Sequence, residues 1–282
     1  MTDADQNGTS EPYAVIAVAG SGAIATGLAS LASCHAEKVW LLARSAESAQ
    51  RASESIGASC ERIQGADADR VTATTDPGDL AGAELVVEAI VEDLEVKVGH
   101  LGELGEQAPQ ADLATTTSSL SIGELGRAAG LDHRLFGLHV FNPVPVMNLV
   151  ELCLPDALDE GIGERAKKWC AGIGKTAVVV PDTPGFVVNR LLFPYLFDAV
   201  RFRERTGMSP EGVDTCMTLG VAHPMGPLAL LDLIGLDVAT EIGKALHADS
   251  GNDEHLAPAS IADLVAEGHL GQKSGRGFYD YD

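Results

Sequence analysis

An α/β fold is predicted, a mostly parallel sheet with interleaved helices followed by a smaller all-α unit, and three observations carry that expectation. Tyr13–Ala19 is a continuous apolar run of the kind that forms a central parallel strand. It leads straight into Gly20-Ser21-Gly22-Ala23-Ile24-Ala25 and then a helical stretch. Strand-like and helical stretches then alternate until Pro181-Asp182-Thr183-Pro184-Gly185, after which only helical stretches follow. A Rossmann-type sheet over 12–182 and an all-helical domain over 183–282 are therefore expected, with the polar residues 1–11 as a disordered tail.

The glycine loop has a physical reading. Gly20 permits a tight turn, Gly22 lets backbone approach a pyrophosphate, and the N–H groups of the helix that opens at Ala23 and Ile24 favour an anion. Ala25 stands where the pattern's third glycine would be. The second strand, Val39–Leu42, should end on a carboxylate if the cofactor is NAD, because an acid there binds the ribose 2′-hydroxyl. It ends on Ala43-Arg44-Ser45, which repels no 2′-phosphate and offers it donors. One charge-assisted contact is worth roughly 1.5–3 kcal/mol, about ten- to a hundredfold in preference. NADP is thus favoured and NAD remains possible, Arg44 being otherwise a solvated surface residue.

Further along, Ala46–Gln64 is expected to be helical, Val71–Thr74 and Leu85–Ile90 buried strands, and Asp76-Pro77 a turn and helix start. Glu88 falls inside an apolar strand, an odd place for a carboxylate unless it faces a cleft. Glu92–Gln107 is expected to be a helix, with Lys97 on it, and Leu113–Thr117 a strand stopping at Ser118. Ser118 at a strand's carboxyl end is placed to meet a ligand, or else to cap the next helix. Leu158–Gly172 reads as a helix and Ala177–Val180 as the last strand. The second domain then offers helices over Phe186–Glu204, Pro210–Leu219, Pro227–Leu246 and Pro258–Glu267. Asn189, amid apolar neighbours in the first of these, needs partners for four hydrogen-bonding sites, from a cleft or from another helix.

The stretch Leu135–Leu152, LFGLHVFNPVPVMNLVEL, is the most informative. A strand-like run carries His139, a stiff Asn-Pro-Val-Pro connection turns the chain, and a second apolar run carries Glu151. In dry surroundings an imidazole and a carboxylate must satisfy each other or a ligand. Such a pair is a general base, the acid fixing one ring nitrogen and raising the basicity of the other. The alternative is a core histidine held by a backbone carbonyl.

Composition excludes several classes. Asp and Glu number 41 against 19 Lys and Arg, a net charge of −22, so nucleic acid and anionic membrane surfaces are improbable partners. The five cysteines lack C-x-x-C spacing and the histidines lack ligand spacing, which points to a reducing compartment and no metal. With neither a long apolar run nor a signal peptide, a cytoplasmic location is expected.

Long motifs then converge. VVEAIVEDLEVK, TTTSSLSI, GLHVFNPVPVMNLVEL, DTPGFVVNRLL, LGVAHPMGPLALLDLIGLD and LGQKSGRGFYDYD, with the glycine loop, resemble the L-3-hydroxyacyl-CoA dehydrogenase family, 3-hydroxybutyryl-CoA type. That resemblance implies catalytic roles for His139, Glu151, Ser118 and Asn189, and cofactor contacts that take in Glu88 and Lys97. It implies hydride exchange between a nicotinamide and C3 of a 3-hydroxyacyl thioester, with 3-hydroxybutyryl-CoA the expected substrate and a homodimer formed through the helical domain. The family's aspartate after the second strand is Ala43 here, its lysine before LVE is Asn148, and its CoA-contacting arm is short, with Arg51 and Arg62 set among Glu47, Glu54 and Glu61. An acyl-carrier-protein thioester or another short hydroxy acid is accordingly the alternative substrate. A non-catalytic nucleotide-binding protein is the remote one.

Overall fold

Strands buried on both faces read as unbroken apolar runs, and β1 (Val15–Ala19) does so here, as does β4 (Leu85–Glu88) up to its last residue. A computed structural model describes residues 12–281, so the tail expected over 1–11 lies outside the described residues. Between β1 and β4 come α1 (Ala23–Ala32), β2 (Lys38–Leu42), α2 (Ala46–Cys60) and β3 (Val71–Thr74). After β4 follow α3 (Leu94–Gln107), β5 (Asp112–Thr115), α4 (Ile122–Ala129), β6 (Leu135–Val140), β7 (Leu149–Cys153), α5 (Ile162–Gly172) and β8 (Thr176–Val180). Among the described residues the strands form one eight-stranded sheet in the order β3-β2-β1-β4-β5-β6-β7-β8. The first six run parallel; β7 is antiparallel to β6, and β8 parallel to β7. Ile16, Leu28, Leu41, Val87, Phe136 and Trp169 are fully buried in its core.

The chain divides into two compact units after Asp182. In the second, α6 (Val188–Thr206), α7 (Pro210–Gly220), α8 (Pro227–Ile234), α9 (Leu236–Ser250) and α10 (Ala259–Ala266) bury Phe193, Phe197, Leu231, Leu246 and Ile261. Two carboxylates tie it together. Asp214 accepts the Leu228 and Ala229 amides at 2.9 Å each, capping α8. Asp232 accepts the Phe278 and Tyr279 amides and the Tyr281 hydroxyl at 2.9–3.0 Å. No helix among the described residues is long and apolar enough to cross a membrane.

Several boundaries differ from the sequence expectation for local reasons. The single helix expected over Pro227–Leu246 is broken at Gly235, whose φ of +103° no helix accommodates. The helix expected from Leu158 starts at Ile162, after Gly161 in the left-handed region. β4 stops at Glu88 because the Glu88 carboxylate takes the Ile90 amide at 2.8 Å. Ser121, not Ser118, caps α4, accepting from the Glu124 amide at 3.2 Å. Cys216 is exposed, whereas Cys60, Cys153 and Cys170 are buried.

Candidate active site

In a parallel sheet every strand delivers its carboxyl end to the same edge. The glycine loop after β1, Arg44 after β2, Glu88 at the end of β4, Ser118 after β5 and His139 near the end of β6 all fall there. The strand order reverses between β1 and its neighbours β2 and β4, the switch point where such sheets bind ligands.

The glycine loop fits a dinucleotide. Gly20 has φ +139°, and a Cβ there would come within 2.2 Å of the Ala89 carbonyl oxygen, so no other residue is accommodated. At Gly22 a Cβ would meet nothing within 4 Å, which leaves the backbone open to a ligand. Gly22 is also the N-cap of α1 with no side-chain cap bond, and the first turn holds no acid, so the N–H groups at Ala23 and Ile24 suit a phosphate. After β2, Ala43 is buried and Arg44 exposed. The Ser45 hydroxyl caps α2, accepting the Ser48 amide at 3.2 Å and sharing a 2.9 Å bond with the Ser48 hydroxyl.

His139 and Glu151 face each other across the antiparallel β6–β7 ladder. Their side chains meet: His139 Nδ1 lies 2.7 Å from Glu151 Oε2, with the histidine 6% and the glutamate 1% exposed. An imidazole whose Nδ1–H is given to a carboxylate handles protons at Nε2. The Phe141 ring lies against the His139 ring at a centroid separation of 4.6 Å, tilted by 58°.

Glu88 and Lys97 are both 0% exposed and bonded to each other, Lys97 Nζ donating to the two Glu88 oxygens at 2.8 and 3.0 Å. Glu88 further accepts the Thr115 hydroxyl at 2.6 Å. This pair lies wholly inside the sheet unit and presents no surface to a ligand, so the cofactor contacts expected of Glu88 and Lys97 are not available to their side chains. Glu92, expected to open a helix, instead holds the segment that carries Ser118. It accepts the Thr117 hydroxyl at 2.6 Å, the Ser118 amide at 2.8 Å, and the Ser119 amide and hydroxyl at 3.0 and 2.8 Å, and it lies 3.5 Å from Lys97. Asp182 grips the other end of that segment through the Ser121 hydroxyl and the Ile122 and Gly123 amides at 2.8–2.9 Å. Asn189 lies in the other unit, in the first turn of α6, 9% exposed.

Burial works to raise the Glu92 pKa, but Lys97 and the bonds from Thr117, Ser118 and Ser119 outweigh it and hold the carboxyl below its ordinary value of 4.5. A carboxyl so held stabilises the folded state fully above its unfolded pKa, and the contribution is lost as pH falls through the lower folded value. The protection of the Ser118 and Ser119 amides relative to intrinsic exchange is therefore expected to fall on acidification below 4.5. In Glu92→Gln that protection should be low across the whole range. Protection that ignores both changes would refute the anchoring role.

Sheet order, glycine loop and uncapped helix end place the first unit in the class of dinucleotide-binding folds. The chain belongs to the 3-hydroxyacyl-CoA dehydrogenase family, as its motifs led us to expect. Residues 15–183 match the family's NAD-binding domain and residues 185–281 its C-terminal domain. A 3-hydroxybutyryl-CoA dehydrogenase of Mycobacterium tuberculosis is 42% identical over 214 residues, 75% of each chain. The human mitochondrial hydroxyacyl-coenzyme A dehydrogenase is 44% identical over 200 residues, 70% of this chain and 64% of that one. Among solved structures, M. tuberculosis FadB2 superposes with a TM-score of 0.91 at 37% identity, covering 96% of this chain and 99% of that one. The (S)-3-hydroxybutyryl-CoA dehydrogenase of Ralstonia eutropha does so with 0.90 at 31%, with the same coverage.

Proposed function

We propose that the protein is a nicotinamide-dependent dehydrogenase of (S)-3-hydroxyacyl thioesters, interconverting 3-hydroxybutyryl-CoA and acetoacetyl-CoA. The observation that carries this reading is the buried 2.7 Å contact between His139 and Glu151 at the ligand edge of the sheet. In oxidation His139 Nε2 takes the proton of the C3 hydroxyl, and in reduction it returns it. Glu151 holds the ring in the tautomer that leaves Nε2 basic and stabilises the imidazolium that forms. Ser118, kept in place by Glu92, donates to the reacting oxygen, and Asn189 is assigned a polar role in the same reaction by the family resemblance alone. The Gly20–Gly22 loop and the N-terminus of α1 would hold the pyrophosphate of a nicotinamide dinucleotide, which when bound would supply the hydride acceptor or donor. Glu88 and Lys97 act from behind, fixing the end of β4. An assay crossing NADPH and NADH with acetoacetyl-CoA and longer 3-oxoacyl thioesters tests this. No turnover in any combination would leave a non-catalytic nucleotide-binding protein.

The cofactor of the proposal is NADP(H) in preference to NAD(H), because Ala43 leaves no acid at the end of β2 and Arg44 is exposed there. Arg44→Ala is expected to cut the ratio of kcat/KM for NADPH over NADH by roughly ten- to a hundredfold, and Ala43→Asp to move it the same way. An unaltered ratio in Arg44→Ala would sink the preference.

A carrier-protein thioester or another short hydroxy acid is the second reading, favoured by α2. The arm is one 15-residue helix, and Arg51 on it is paired with Glu47. CoA phosphates would find few cations there. Saturable turnover of free acetoacetyl-CoA at low concentration counts against this reading. We further place the protein in the cytoplasm as a homodimer through its helical domain, where Leu191 and Leu219 are 70% and 82% exposed. Analytical ultracentrifugation checks the dimer.

A further inference from the structure

A buried ammonium is costly unless its donors are used, and Lys175 uses them on backbone alone. Its side chain, 7% exposed between α5 and β8, donates to the Val144 carbonyl at 2.6 Å and the Met147 carbonyl at 2.7 Å. Among the described residues no carboxylate is paired with it. Both carbonyls belong to the connection 141–148, which joins the strand of His139 to the strand of Glu151. Next to Lys175, the Thr176 amide takes the Asn148 carbonyl at 2.7 Å, so the connection is held at three points from one side. On its other side Val144, 1% exposed, packs on α1: a Cβ on Gly27 would come within 2.8 Å of the Val144 Cβ. The connection therefore touches the helix that opens at the glycine loop while it links the two strands of the proton-handling pair.

We propose that Lys175 is a positioning residue of the reaction, its ammonium clamping the 141–148 connection so that the His139–Glu151 pair and the helix behind the glycine loop keep one relative geometry. The assignment rests on the dehydrogenase reading for its effect on turnover and stands apart from it for its effect on cofactor binding. A methionine of similar length would fill the space as well, but it would leave two inward-facing carbonyls without donors and the connection loose. Displacements of an ångström at reacting groups cost up to about a hundredfold in rate.

The test compares Lys175→Ala, Lys175→Met and Lys175→Gln with the wild type, counting active molecules by cofactor binding rather than by protein mass. In the alanine and methionine variants kcat per binding-competent molecule is expected to fall about tenfold or more, and the dissociation constant for NADPH, read from nicotinamide fluorescence, to rise severalfold. The glutamine variant, with a neutral donor, should be intermediate. Added propylammonium chloride should restore part of the activity of Lys175→Ala but not of Lys175→Met, whose side chain occupies the space; a purely structural loss would not respond to the amine. The proposal is overturned if kcat and NADPH affinity stay within about twofold of wild type. It is equally overturned if propylammonium and sodium chloride act alike on Lys175→Ala. Should the alanine and methionine variants fail to fold, the glutamine variant decides by the same twofold criterion. Absence of turnover by the wild type would defeat the dehydrogenase reading and leave the effect on NADPH affinity as the measure of the clamp.

Discussion

Replacing His139 by glutamine is expected to lower kcat by roughly 10²–10⁴-fold, the usual share of a general acid–base group. Affinity for the nicotinamide cofactor should stay close to that of the wild type. Glutamine keeps a donor that can reach Glu151 and fills similar space, so the β6–β7 ladder has no reason to shift. What disappears is a group that accepts a proton at one edge while its other edge is fixed by a carboxylate at 2.7 Å. Stopped-flow and steady-state kinetics beside cofactor titration check this, and a kcat near wild type would remove His139 from the mechanism.

Lys97→Met is expected to destabilise the sheet unit by about 3–5 kcal/mol, the cost of breaking a buried ion pair from one side. The change leaves the Glu88 carboxylate, 0% exposed, with the Thr115 hydroxyl and the Ile90 amide as its donors, and it takes from Glu92 its nearby cation. For a unit of this size the midpoint of thermal unfolding should fall by about 6–20 °C. Replacing both partners, Glu88→Gln with Lys97→Met, should recover much of the loss, because no unpaired charge is then buried. Calorimetry of the single and double variants checks it; equal loss in both would mean that packing, and not charge, holds the pair.

The parts legible in the sequence were those with a local signature. The run into Gly20 shows the first strand, its turn and the helix after it within a few residues. His139 and Glu151 could be paired because two short apolar runs joined by a stiff connection have few ways to lie together. Glu92 was not legible: its contacts to Ser118 and Ser119 span 26 and 27 positions and depend on β4 and β5 being neighbours. An acid within VEDLEVK looks like any helix start. Glu88 stands out in the sequence as an acid inside an apolar strand, and both it and Lys97 are expected to meet the cofactor; burial, which decides whether a charge meets ligand or protein, is a property of packing and pairs them with each other. Lys175 had no signal, since it holds backbone carbonyls and leaves no partner side chain to be noticed.

Because His139 and Glu151 are opposite residues of one antiparallel ladder, their spacing is set by strand register, flanked by Leu138 with Leu152 and Val140 with Val150. A slip of one residue would turn Glu151 to the far face and abolish the pair. The pair is therefore inherited with the ladder as one unit: a substitution that preserves the β6–β7 register keeps the two side chains opposed, and one that breaks it loses both partners at once.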